Sequence, residues 1–212
     1  MSIATRSKKQ PKKRVRRTPE AARAAALESA RKLLISRGPG AITLQAVAAD
    51  LGMSHTNLIH HFGSAGELQS ALMGEMIREL TTVLEQAVER FRSGKGNERE
   101  FVDIVFDVFG RGGAGRLAAW IALAGETDQL EAVAIVVRAH IRNVERGADP
   151  SLGDVHERIT SAALLVALTA FGDAVIGEQL GAMLDRERRA MREIVAELLP
   201  IVLTPPKRVG SR

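Results

Sequence analysis

The chain has no cysteine and no tyrosine, and only one tryptophan and six phenylalanines among its 212 residues. The absence of cysteine excludes disulfides, thiolate metal ligands and thiol nucleophiles, and it agrees with a reducing compartment. Because alanine, leucine and valine dominate a chain with so few aromatic residues, the composition predicts an all-α fold. The length suffices for one large domain or two modest ones, with a buried core.

Long uncharged runs are also missing. The longest that also lacks histidine, Ile159 to Gly172, has 14 residues, which is short of the roughly 20 that a membrane-spanning helix needs, so we interpret it as a helix buried in protein. The basic N-terminal run leads into Pro19, Glu20 and Arg23 rather than into an apolar segment, so it is not typical of a signal peptide. We therefore expect a soluble, cytoplasmic protein.

Charges of both signs are present but unevenly placed. Residues 1–17 carry eight basic side chains and no acidic one, which leaves 22 basic against 25 acidic side chains in the rest of the chain. A basic tail on a mildly acidic body favours a polyanionic partner for the tail. Two alternatives are a disordered, solubilising tail and a nuclear-localisation signal, the latter requiring a eukaryotic source that nothing in the sequence indicates.

The N-terminal region predicts three helices. Thr18-Pro19-Glu20 caps and begins the first, which Gly38-Pro39-Gly40 ends. Thr43 can cap a short second helix, Gly52 suits the positive φ of a tight corner, and Ser54 can cap a short third helix. Two short helices joined by a glycine-containing turn form a helix-turn-helix.

Three of the five histidines, His55, His60 and His61, lie in the third predicted helix. Zinc-binding pairs on a helix favour i, i+4 spacing with a carboxylate nearby, and these histidines are five, six and one residue apart. Adjacent His60 and His61 point about 100° apart around a helix and do not easily share an ion. No pair of carboxylates and no nucleophile–base constellation stands out, so we expect no metal, no cofactor and no enzymatic activity.

The same helix indicates a reading surface. If Leu58 and Phe62 face the protein, then Thr56, Asn57 and His60 face outward. These side chains can hydrogen-bond to base edges or phosphates, and asparagine can pair bidentately with adenine. The alternative is a surface helix that contacts nothing.

A glycine-rich segment, "GRGGAG", satisfies the dinucleotide-binding pattern G-x-G-x-x-G at Gly110, Gly112 and Gly115. That pattern works only between a strand and a helix of a βαβ unit. The residues before it follow a helical period, and no segment alternates as a strand does. We therefore interpret the segment as a loop between helices.

Residues from about Thr18 to Leu68 resemble the DNA-binding domain of TetR-family transcriptional regulators. The matching text, "ALESARKLLISRGPGAITLQAVAADLGMSHTNLIHHFGSAGEL", contains the family's T-x-x-x-V-A second helix, LG-M-S corner, L-x-x-HF recognition helix and GS-x-x-EL start of a fourth helix. The resemblance implies an all-α protein with an N-terminal three-helix helix-turn-helix domain, followed by a helical ligand-binding and dimerisation domain. It also implies a homodimer that binds double-stranded DNA at a palindromic operator.

This resemblance assigns candidate DNA contacts. Ile59 replaces a usual tyrosine and Ala65 a usual lysine, which removes two phosphate contacts, and Gly66 weakens the start of the fourth helix by up to ~1 kcal/mol. We expect the basic arm to compensate by tracking phosphates. The candidate DNA-binding residues are Thr43, Gln45, Ser54, His55, Thr56, Asn57, His60, His61, Arg14, Arg16 and Arg17.

We divide the chain into a disordered basic arm (1–17), the helix-turn-helix domain (18–64), the ligand-binding and dimerisation domain (65–203) and a flexible tail (204–212). The predicted helices of the third part are Glu67–Arg92, Glu98–Phe109, Arg116–Gly125, Asp128–Arg146, Asp154–Gly177 and Asp185–Leu199.

The last two of these helices, residues 154–177 and 185–199, are predicted to pair with their counterparts across a two-fold axis as a four-helix interface. The first mixes small and large apolar residues on more than one face, as a helix packed on several sides requires. The alternative is an intramolecular core in a monomer. The apolar stripe predicted for the last helix comprises Leu184, Met191, Ile194, Val195 and Leu198, opposite Arg186, Arg188, Arg189, Arg192 and Glu193.

The expected effector is a small, mostly apolar molecule, and its class does not follow from the sequence. For His140, which shares a helical face with valines, a satisfied core hydrogen bond is the alternative to a ligand contact. The candidate ligand-binding residues are Met76, Phe106, Phe109, Trp120 and His140. The predicted function is sequence-specific DNA binding that represses transcription until the ligand binds. The alternative is a low-specificity, nucleoid-type DNA-binding protein dominated by its basic arm.

Overall fold

The computed structural model describes residues 18–125, 131–146 and 154–204. Within these ranges the chain is helical and contains no strand. A 3-10 turn, Pro39–Ala41, follows the first helix, and a π-helical segment, Asp173–Gly177, joins the eighth helix to the ninth. The α-helices are α1 Pro19–Arg37, α2 Leu44–Leu51, α3 His55–Phe62, α4 Ala65–Arg92, α5 Glu98–Phe109, α6 Ala114–Leu123, α7 Glu131–Arg146, α8 Val155–Gly172, α9 Glu178–Met183 and α10 Ala190–Leu203.

The predicted capping residues begin the first three helices. The side-chain oxygens of Thr18, Thr43 and Ser54 each accept a hydrogen bond from a backbone N–H three residues later. Gly52 ends α2 in the left-handed region with φ 61°, which a residue with a Cβ adopts at a cost. The predicted all-α fold and the helix-turn-helix are confirmed.

One hydrophobic core runs from the helix-turn-helix into the larger part of the chain. Leu34 on α1, Ile42 in the loop before α2 and Leu58 on α3 are fully buried. Leu68 and Leu72 continue the same core on α4. Helix α4 packs against α1 at one end and against α5, α6 and α7 farther along. Its position makes α4 the main physical connection between the two parts.

Polar contacts reinforce this connection. The Gln69 side chain, which is buried, donates from Nε2 to the Ile42 carbonyl oxygen at 3.0 Å. The guanidinium of Arg31 on α1 makes two hydrogen bonds, of 2.6 and 2.8 Å, with the carboxylate of Glu79 on α4. Together they fix α4 against α1 and against the loop that leads into α2.

Several predicted helix boundaries are wrong. The sequence predicts a helix that ends at about Gly177, but the φ of Gly177 is −60°, which is helical, and the helix continues through the π-helical segment to Met183. The last helix begins at Ala190 instead of Asp185, because Asp185 has a positive φ of 50°, and it extends to Leu203. The fourth helix begins at Ala65 rather than at Glu67, because Ser64 caps it. The predicted basic arm and residues 205–212 lie outside the described ranges.

The segment Val155–Met183 is long and apolar enough to cross a membrane by length and composition alone, and little of it is buried within one chain. A core or interface helix of a soluble protein passes the same test. Much of its outward side is apolar: Leu164 and Leu168 are each 60% exposed, and Met183 is 77% exposed. The expectation that this helix is buried in protein is therefore not met by a single chain.

Candidate nucleic-acid interface and ligand cavity

Helix α3 exposes to solvent the side that was predicted from the sequence to face outward. Leu58 and Phe62 are buried against the domain, whereas Thr56, Asn57 and His60 are exposed. His55, at the start of the helix, is exposed as well. The outward surface of α3 thus carries hydrogen-bonding groups without acidic side chains.

The other candidate DNA-binding residues lie around this surface and differ in their exposure and in the hydrogen bonds they already make. Thr43, Gln45 and Ser54 are exposed, but the hydroxyls of Thr43 and Ser54 already accept the capping hydrogen bonds of α2 and α3. A hydroxyl can still donate to a phosphate while it accepts from a backbone N–H. His61 is partly buried, and its ring meets Phe62 edge-on at 6.4 Å between centroids. Arg14, Arg16 and Arg17 fall outside the described residues.

Arg23 on α1 belongs to this region, although the sequence analysis assigned it no role. Its Nη1 donates to the carbonyl oxygen of His61 at 2.7 Å, and its guanidinium carbon lies 4.4 Å from the centroid of the Phe62 ring. A surface pocket of about 450 Å³ lies beside it, between α1 and the end of α3. An arginine on the outward side of an amphipathic helix gives no sequence signal that distinguishes such a contact from solvation.

A second polar contact holds α2 in place. Ser29 on α1 is almost fully buried, and its hydroxyl donates to a carboxylate oxygen of Asp50 at 2.6 Å. Because α2 supports α3 through the turn at Gly52, this bond contributes to the orientation of the reading helix.

The larger part of the chain contains a cavity of about 410 Å³, enclosed by α4, α5, α7, α8 and α10. A volume in this range is typical of small-molecule sites. The lining is apolar except for Thr81, Arg92 and His140, and its apolar residues include Leu80, Leu84, Phe91, Phe101, Val105, Phe109, Val137, Ile141, Val166 and Leu203.

The predicted ligand-binding residues are divided between the cavity and other places. Phe109 and His140 line the cavity. Met76 and Phe106 are buried in the core without lining it, and the Phe106 ring lies 5.5 Å from the guanidinium of Arg192. Trp120 is 45% exposed and also lies off the cavity, with the tip of its ring against Gly40 in the loop before α2.

His140 carries a buried nitrogen without a partner. Its Nδ1 has no hydrogen bond, because the nearest carboxylate oxygen, Oε1 of Glu85, is 3.9 Å away. Burial lowers the pKa of His140 below its ordinary value, and the charge of Glu85 only partly opposes this, so the imidazole is neutral near pH 7. A satisfied core hydrogen bond therefore does not account for Nδ1.

The predicted polar stripe of the last helix is partly turned inward. Arg192 reaches α5, where its Nη2 lies 2.7 Å from Oδ1 of Asp107 and its Nη1 lies 3.4 Å from Oδ1 of Asp103. Burial alone would raise the pKa of Asp107. Arg192 and Arg111 outweigh this effect through their hydrogen bonds to the carboxylate and their positive charges, so the pKa is lowered. The apolar stripe is divided in the same way, since Val195 is buried in the core.

The glycine-rich segment joins α5 to α6, as the interpretation as an interhelical loop requires. Gly115 lies within α6, where an added Cβ would stand 2.5 Å from the Cβ of Ala174. Close packing between α6 and the π-helical segment therefore accounts for this glycine.

Within residues 18–125, 131–146 and 154–204, no group of three or more histidine, aspartate or glutamate side chains is placed to hold a metal ion. His55, His60 and His61 belong to the outward side of α3 and its edge.

Several solved structures share the fold over most of their length. The multidrug binding protein EbrR, complexed with ethidium, is 14% identical, with a TM-score of 0.56 over 84% of this chain and 97% of that chain. A candidate transcriptional regulator from Saccharomonospora viridis, in complex with choline, is 18% identical, with a TM-score of 0.53 over 85% and 96%. The superantigen PfiT is 19% identical, with a TM-score of 0.51 over 87% and 97%. At these identities the likeness shows the fold alone.

Part of the sequence also matches a known protein family. No curated protein matches the chain. Residues 26–72 match the family described as bacterial regulatory proteins, tetR family. The matched segment runs from α1 into α4 and contains the whole helix-turn-helix of α2 and α3. Over these residues the chain is therefore similar to tetR-family bacterial regulatory proteins.

Proposed function

We propose that the protein binds a palindromic operator as a homodimer and represses transcription until a small, mostly apolar molecule occupies the cavity. The observation that carries this proposal is the outward, uncharged hydrogen-bonding side of α3, held by a buried core that continues into the cavity-bearing part of the chain. A protein that binds the operator in this way would act in the cytoplasm, because the DNA is located there.

The exposed side of α3 suits a major groove. Asn57 can pair with adenine through two hydrogen bonds, and Thr56, His55 and His60 can reach other base edges or phosphates. The missing cation at Ala65 leaves the phosphate contacts to the basic arm, with Arg14, Arg16 and Arg17 as the proposed contributors. An eight-residue helix reads few base pairs, so two copies spaced by one DNA turn, roughly 34–36 Å, supply the specificity.

The dimer surface is proposed to be the apolar side formed by α8, α9 and α10. Isolated exposed leucines are ordinary on a protein surface, but a contiguous set this large indicates a buried interface. Two antiparallel helices from each copy would form a four-helix arrangement. The exposed residues of this side are Leu164, Leu168, Val175, Ile176, Leu180, Met183, Leu184, Met191, Ile194, Leu198 and Ile201.

The ligand is proposed to act through α4, because α4 lines the cavity with Leu80 and Leu84 and holds the helix-turn-helix through Gln69. A ligand shifts the protein toward the non-binding conformer only by its differential affinity for the two conformers. The ethidium and choline complexes of two structural relatives support the binding of a small molecule by a protein of this fold. Phe109 and His140 are the proposed ligand contacts among the sequence candidates.

Selection of bound sequences from a random DNA pool tests the DNA-binding proposal. We expect an inverted repeat, and an affinity for it more than ~10³-fold above that for random DNA at the same salt concentration. Asn57→Ala should reduce this ratio, whereas Gln86→Ala, an exposed change on α4, should leave it unchanged. A ratio near one would instead support the low-specificity alternative. Repression is then measured with a reporter placed behind the selected sequence.

A further inference from the structure

The polar groups of the cavity converge at one wall. Arg92, at the end of α4, donates from Nη2 to the carbonyl oxygen of Val144 on α7 at 2.9 Å. His140 lies one helical turn before Val144 on the same helix, and both residues line the cavity. The guanidinium of Arg92, an exposed residue at the edge of the cavity, therefore contacts α7 one helical turn after His140, while the rest of the lining is hydrocarbon apart from Thr81.

The charge at this wall is positive and unneutralised by the lining. Arg92 is the single charged residue among the cavity-lining residues of the described chain, and none of the ion pairs found within the described ranges includes it. Glu85 is not part of the lining, and its Oε1, 3.9 Å from the His140 Nδ1, accepts a hydrogen bond from the Asn143 side chain at 3.2 Å. A cationic ligand would thus meet Arg92 with no carboxylate in the lining of the cavity to offset the repulsion.

We propose that the cavity selects an apolar ligand with a single carboxylate, whose hydrocarbon body lies among the phenylalanines and leucines and whose carboxylate binds Arg92 beside His140. This inference rests on the proposed ligand site and names the chemical class of its occupant. Arginine presents a planar fork of donors that matches a carboxylate. The neutral imidazole adds one N–H donor, which turns an unpartnered buried group into a hydrogen-bonded one. The selected ligand differs in charge from ethidium and choline, the cations of the structural relatives.

Calorimetric titration of the full chain with three ten-carbon probes below their micelle concentrations tests the class. The probes are decanoate, 1-decanol and decyltrimethylammonium, which share a hydrocarbon body and differ in the head group. We expect decanoate to bind on the order of tenfold more tightly than decanol, because of the charge-assisted hydrogen bond, and the cation to bind most weakly. Equal binding of decanol and decanoate, stronger binding of the cation, or no binding of any probe would each overturn the inference.

Two variants test whether Arg92 causes the preference for decanoate over decanol. Arg92→Gln should lower decanoate affinity to that of decanol and leave decanol affinity unchanged, which also shows that the cavity is intact. Arg142→Gln, an exposed change on α7 that does not line the cavity, should leave the decanoate preference as it is. Loss of the preference in both variants, or in neither, would contradict the assignment. Operator binding by the same preparations is measured separately, so the inference can fail while the proposed regulator function stands.

Discussion

The guanidinium of Arg23 on α1 lies over the ring of Phe62, the last residue of α3, while Nη1 donates to the backbone carbonyl of His61. The final carbonyls of a helix have no intrahelical partner and carry partial negative charge. Arg23 satisfies one of them and covers the aromatic residue that anchors α3 in the core. A side chain on α1 thereby fixes the end of the reading helix.

Replacing Arg23 should weaken DNA binding more than it weakens folding. In Arg23→Ala, α3 loses a cation–π contact of about 0.5–1 kcal/mol and a hydrogen bond to its last turn, so its end becomes less ordered. We expect the preference for the selected operator over random DNA to fall, with only a small change in thermal stability. Arg23→Lys keeps the charge but loses the planar fork, so it should restore only part of the preference. Full restoration by lysine would show that charge alone matters.

Two glycine substitutions should have opposite effects on stability. Gly115→Ala places a Cβ 2.5 Å from the Cβ of Ala174, and the resulting overpacking should destabilise the protein by about 1–3 kcal/mol. Gly172→Ala meets nothing within 4 Å at a helical φ, so it should stabilise by about 0.5–1 kcal/mol. Urea unfolding of both variants at one protein concentration measures the difference. A phosphate-binding role for the glycine segment predicts no such contrast.

The local signals for the N-terminal domain were predictable from sequence because they act over a few residues. The caps at Thr43 and Ser54, the corner at Gly52 and the inward pair Leu58 and Phe62 each depend on neighbours three or four positions away. The structure reproduces all of them. The cavity was only partly predictable, because its lining joins five helices distant in sequence.

The failures also have identifiable physical causes. Trp120 looked like a pocket residue because it is large and apolar, but its ring packs toward Gly40, a contact that only the tertiary fold defines. The sequence places Arg192 opposite the apolar stripe of the last helix, yet in the structure it pairs with two aspartates of α5. Gly177 has helical backbone dihedral angles, so the helix does not end there. In each case a long-range contact or backbone conformation overrode a sound local preference.

Stability should depend on pH through His140. Its pKa in the folded protein is lower than the ordinary value of 6.5, so the unfolded chain binds more protons in the window between the two values. The contribution of the neutral imidazole is complete above pH 6.5 and is lost as the pH falls from 6.5 toward the folded-state pKa. The charge of Glu85, whose Oε1 lies 3.9 Å from the His140 Nδ1, favours the protonated imidazole and so opposes the effect of burial on the pKa.

The test compares the free energy of unfolding at pH about 7.5 and about 5.5 in the parent protein and in His140→Gln, which cannot titrate. We expect the parent to lose more stability than the variant over this interval. His60→Gln, a change at an exposed histidine of α3 that none of the ion pairs found in the described ranges includes, serves as the matched control and should behave as the parent does. An equal loss in the parent and in His140→Gln would contradict the shift.

Leu168 tests the dimer surface because it is 60% exposed on α8 and therefore contributes little to the core of its own chain. In Leu168→Glu a charge would be buried without a partner in the proposed four-helix interface, at a cost that a monomer avoids. We expect sedimentation at micromolar concentration to show a monomer with unchanged helical content. The affinity for the operator should also fall sharply, because a monomer has one α3 and contacts a single half-site. The matched control is Ile35→Glu on α1, 51% exposed and far along the chain from α8, which should remain dimeric. A dimeric Leu168→Glu would place the interface elsewhere and leave the apolar side of α8 to α10 for a different partner.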